Sequence, residues 1–119
     1  MRRGSHRPEQ VAGTIRQVVA DALTREVRDP RVGRVTVTSV SVTPDLSHAR
    51  ISVLCGDGEE ERERAMEGLQ SAAGFLRSRV AKALATRITP ELTFEPDRGL
   101  EYARRMDALL ASLRDGSET

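Results

Sequence analysis

A chain of 119 residues with 31% charged, 38% hydrophobic and only 3% aromatic residues has the length of one domain with its own core, and too little for two. Nineteen Lys and Arg nearly balance eighteen Asp and Glu. No window approaches the roughly 20 consecutive apolar residues of a membrane span, and the start has no apolar run to act as a signal peptide. A single Cys cannot close an internal disulfide, so membrane and secreted classes are set aside and a cytoplasmic protein is expected.

Along the chain, residues 8–28 carry helical periodicity: Pro8 suits a first turn, and Val11, Ile15, Val18, Val19, Ala22 and Leu23 recur at steps of three and four. Asp29-Pro30 ends that helix and Gly33 supplies a turn. Residues 35–43 alternate at Val35 and Val37, then at Val40 and Val42, an offset that predicts a bulge or burial on both faces. Residues 48–55 place Ala49, Ile51, Val53 and Cys55 on one face, and the turn sequence from Thr43 to Ser47 makes the two strands an antiparallel hairpin. From about Glu60 to Thr86 the helical period returns on Met66, Leu69, Ala73, Leu76, Val80 and Leu84. Phe75 falls well off this stripe in a straight helix, so the pattern predicts two helices joined by a bend at Ala72-Ala73-Gly74, with Phe75 and Phe94 in the core. Leu92 and Phe94 mark a short third strand, and residues 99–114 a weaker amphipathic helix.

The small net charge of +1 hides a segmented distribution. Residues 57–69 carry six acids and two Arg, whereas residues 70–90 carry four bases and no acid. Composition leaves two readings of that acid-free stretch open: a footprint for a polyanion, or a solvated helix face balanced by its acidic neighbour. The small residues Ala72, Ala73 and Gly74 would let another backbone come close, and Arg77, Arg79, Lys82 and Arg87 follow within a few turns, where they could meet phosphates. Arg31 and Arg34, flanking Gly33, and the arm Arg2, Arg3, His6 and Arg7 are secondary candidates. With both Phe expected inside, recognition by shape and backbone is expected rather than stacking on splayed bases.

Catalytic chemistry finds little support. Asp45, Ser47 and His48 lie within one turn, where such side chains cap their own backbone. Cys55 reads as a small core residue, the acids from Asp57 to Glu63 suit a helix N-terminus, and no glycine-rich phosphate loop has the needed spacing. No catalytic residue, metal or cofactor is assigned.

Five segments in order, Arg28-Asp29-Pro30-Arg31-Val32-Gly33, Thr36-Val37-Thr38, Asp45-Leu46-Ser47-His48-Ala49, Ala72-Ala73-Gly74-Phe75-Leu76-Arg77 and Pro90-Glu91-Leu92 with Phe94, closely resemble the motifs of the ribosome-binding factor A family. The resemblance spans roughly Arg7 to Leu110. It implies an α+β fold, a single type II KH-like domain of order α-β-β-α-kink-α-β with a C-terminal helical tail. On that reading residues 1–7 are a basic arm, 8–97 the RNA-binding domain and 98–119 the tail. The Gly-X-X-Gly loop of ordinary KH domains is replaced by the kink at Ala72-Ala73-Gly74. The implied role is that of a monomeric, non-enzymatic factor that binds the free small ribosomal subunit and its rRNA late in assembly and promotes processing of the rRNA precursor, with no small-molecule substrate. The alternatives are a generic KH-type RNA-binding or adaptor protein and a processing ribonuclease.

Overall fold

The computed structural model describes residues 7–56, 58–85 and 87–117. Helix α1 (Pro8–Arg25) starts on Pro8, whose missing N–H is an orphan at that position anyway, and buries Val11, Ile15, Val19, Ala22 and Leu23. It ends three residues before the expected Arg28. The Glu26 and Val27 amides both close on the Ala22 carbonyl at 2.9 Å, and Asp29, held extended before Pro30, instead caps a short 3-10 turn, η1 (Pro30–Val32).

Strands β1 (Thr36–Val42) and β2 (His48–Leu54) form the expected antiparallel hairpin. Val37 pairs with Val53 and Ser39 with Ser52, which leaves Thr38 as the extra residue of the bulge that the valine offset indicated. Strand β3 (Glu91–Pro96) adds in parallel to β2, Ile51 opposite Phe94, so β2 is central and its Ala49, Ile51 and Val53 are wholly buried. The alternate residues His48 and Arg50 of β2, with Glu91 and Thr93 of β3, are exposed. Helix α1 packs over β1, and helix α2 (Glu59–Leu84) packs over β3 and against α1 and η1. The result is two layers, with the helices on one face of the sheet.

The two separate helices expected around Ala72-Ala73-Gly74 are one: α2 is an uninterrupted helix of 26 residues. Its inward residues Ala65, Leu69, Ala72, Leu76, Val80 and Leu84 keep phase straight through Gly74, so the core asks for no rephasing. Phe75 consequently stays out of the core, 40% exposed, contrary to the sequence expectation, while Phe94 is half-buried against it.

Helix α3 (Arg98–Ser117) follows β3 directly. Asp97 donates its amide to the Val53 carbonyl at 2.7 Å, accepts the Leu100 amide at 3.0 Å as an N-cap, and receives the Thr38 hydroxyl at 2.7 Å. One turn on, Glu101 pairs at 2.8 Å with Arg62, a buried cation on α2 that also reaches Glu59 at 3.2 Å. Beyond that turn α3 leaves the body: Leu109, Leu110 and Leu113 are 50–61% exposed. The radius of gyration is 17.1 Å and the long axis 66 Å, against about 13.5 Å expected for a compact chain of this length.

Candidate nucleic-acid interface

Helix α2 is electrostatically polarised. Its first turn holds Glu59, Glu60 and Glu61, where the helix dipole favours anions, and its last turns hold Arg77, Arg79 and Lys82. At 100° per residue Arg77 and Arg79 lie about 200° apart, and they therefore go to opposite flanks. Arg77 turns toward the start of β3 and donates to the carbonyls of Thr89 at 2.8 Å and Pro90 at 3.2 Å. Arg79 turns toward α1, where its Nε donates to Glu26 Oε1 at 2.7 Å and its guanidinium carbon sits 4.8 Å from the centre of the Phe75 ring.

Lys82 shares the α1-facing flank and lines a shallow depression of about 400 Å³ with Asp21, Arg25, Glu26 and Arg79. It is exposed and has no ion pair among the described residues. Arg31 stands further toward the acidic end of the same flank. The Asp29 carboxylate grips its guanidinium at 2.7–3.1 Å, and its Nη2 is 3.4 Å from Ser71 on α2. That grip holds the Asp29 carboxyl below its ordinary range and pushes the Arg31 guanidinium up. Gly68 makes the approach possible, because a methyl group there would lie 2.8 Å from Val32 Cγ1 and 3.1 Å from Arg31 Cβ. Arg34 is bonded to Glu61 at 3.1 Å and lines a second depression with Arg31 and Arg64, in which Glu59, Glu60 and Glu61 offset the positive charge.

The structure thus gathers Arg31, Arg79 and Lys82 on one flank and separates Arg77 from them. Ala72 and Ala73 are half-buried, so of the small residues only Gly74 faces open space. Arg87 is exposed in the loop after α2 and Arg7 at the start of α1; Arg2, Arg3 and His6 lie outside the described residues. Sequence reading missed Arg25 and Phe75. The first is hidden in a helix of mixed charge and gains its place only when α1 meets α2; the second was expected in the core and instead stands at the surface of one continuous helix.

The Asp45 cluster is a self-capped turn: Asp45 Oδ1 accepts from Ser47 N at 3.1 Å and from the hydroxyls of Ser47 and Thr43, both at 2.8 Å. Cys55 is buried, and burial raises its thiol pKa, which keeps it a weak nucleophile.

Residues 7–110 match the family model described as ribosome-binding factor A. A protein of that name from Rhodopirellula baltica is 44% identical over 114 residues, 96% of this chain and 83% of the relative. The chain belongs to the ribosome-binding factor A family. The crystal structure of ribosome-binding factor A from Thermus thermophilus superposes with a TM-score of 0.67 at 25% identity, covering 78% of this chain and 99% of the other. A homology model of the Thermus thermophilus factor, fitted into a cryo-electron microscopy map of its complex with the 30S subunit, matches with a TM-score of 0.60 at 26% identity over 73% of this chain and 91% of that one. The α-β-β-α-β-α order is therefore that of ribosome-binding factor A, with one continuous α2 in this chain.

Proposed function

We propose that this chain binds the free small ribosomal subunit in the cytoplasm, stabilises an rRNA conformation late in assembly, and so assists precursor processing without cleaving RNA itself. Membership of the ribosome-binding factor A family over nearly the whole chain carries the reading. The fit of a fold relative to a map of a 30S complex supports the partner. A factor of this kind works by differential affinity: it favours the RNA state it contacts best and leaves when a later state contacts it worse.

The face we assign to RNA is the α1-facing flank of α2, with Arg31, Arg79 and Lys82 meeting phosphates and Gly74 admitting a close backbone. Arg34 and Arg87 extend it at its two ends. Arg77, Ala72 and Ala73 act through the fold, Arg77 by fixing the start of β3.

Cosedimentation tests the reading. The protein should travel with free small subunits and poorly with complete ribosomes; equal binding to both would refute an assembly role. Lys82→Ala should keep the melting temperature and make the slope of log affinity against log salt shallower by roughly 0.7 to 0.9, the value of one phosphate contact. Arg77→Ala should instead lower the melting temperature.

A further inference from the structure

We propose that Phe75 and Arg79 form a stacking platform for one unpaired base of the bound RNA, an inference that rests on the RNA-binding reading and adds base contact to it. Phe75 is 40% exposed in the middle of the basic flank, although a buried position against the core lies one residue away at Leu76. Its neighbours one turn before and after include Ser71 and Ser78, whose short side chains cannot cover a phenyl ring. Arg79 lies over the ring at 4.8 Å, and Glu26 holds that guanidinium in place through its Nε. Two flat groups are therefore fixed together before any ligand arrives, so little side-chain freedom is lost when a base stacks on them.

Charge selects the occupant. A lone ring set among two serines, an arginine and the exposed Lys82 one further turn along offers too little apolar area for a hydrophobic protein contact. A nucleotide meets both halves of the surface, its base on the ring and its phosphate near Lys82. Stacking reads any base by its π face, so the platform gives affinity for an unpaired nucleotide and weak preference among bases.

The chain has no Trp, so Phe75→Trp places a sole indole reporter at the site. Titrating this variant with purified small subunits, and separately with oligoadenylate and an abasic strand of equal length, should quench its emission with the first two and not with the third. Phe75→Leu should bind small subunits about tenfold more weakly, with its circular dichroism and its salt slope unchanged, because a stacking contact releases no counterions. Wild-type affinity in Phe75→Leu overturns the platform, as does an indole that shifts to the blue without quenching, the mark of an apolar protein contact. Failure of the wider RNA-binding reading looks different: Lys82→Ala would then leave the salt slope untouched.

Discussion

Asp45 collects three donors in an exposed turn, and these hydrogen bonds, Ser47 Oγ first, hold its carboxyl at about 2 instead of 3.8. A carboxylate depressed in the folded state is protonated first in the unfolded chain as pH falls. Its contribution is therefore whole above about pH 4 and disappears as pH drops through about 2. Asp29, lowered by Arg31, and Asp97, lowered by the Leu100 amide and the Thr38 hydroxyl, act with the same sign. Denaturant midpoints measured between about pH 5 and pH 2 should fall in the parent protein and fall less in Asp45→Asn; identical profiles would show that the turn is equally formed in the unfolded chain. This self-capping was legible in the sequence because donors and acceptor lie within five residues. The role of Arg77 was not, since its carbonyl partners lie twelve and thirteen residues away, beyond a loop.

Within α2, two glycines of the same helix have opposite work. Gly68 is buried where η1 comes down on the helix, with Val32 itself in the core and unable to retreat; Gly74 faces open space in a regular turn. Gly68→Ala should therefore cost about 1–3 kcal/mol through overpacking, and Gly74→Ala should gain about 0.5–1 kcal/mol from helix propensity. Paired thermal or urea unfolding measures both, and a stabilised Gly68→Ala would mean that η1 sits on the helix loosely. The hairpin and its bulge were readable because their signals are local: alternation, a turn sequence and a one-residue offset among valines. The parallel docking of β3 was not, because pairing across the whole length of α2 leaves no mark in either strand. The expected break came from placing Phe75 in the core; with Phe75 left at the surface the apolar stripe runs through one helix.

At the scale of the molecule, α3 carries the chain well outside its body. Its first turn is tied down by Asp97 and by the Arg62–Glu101 pair. A chain ending at Ala103 keeps both ties, and should melt within about 2 °C of the full chain while its radius of gyration, measured by X-ray scattering, falls from 17.1 Å to about 13 Å. A large loss of stability would show that the exposed leucines fold back onto the body in solution. The amphipathic character of this helix was legible from its leucine spacing, but not its direction, because the partners of Asp97 and Glu101 lie far away in the chain. That direction originates in β1: the residue inserted at the bulge offers its hydroxyl to Asp97, and Asp97 starts the helix. Twenty residues of helix span about 30 Å, so a tilt of about 10° at Asp97 swings the far end through about 5 Å. Thr38, fifty-nine residues upstream of that carboxylate, is thus the fulcrum of a lever, and Thr38→Val, which also removes the hydroxyl 3.1 Å from the Ser52 carbonyl of β2, should broaden the arc its tip explores.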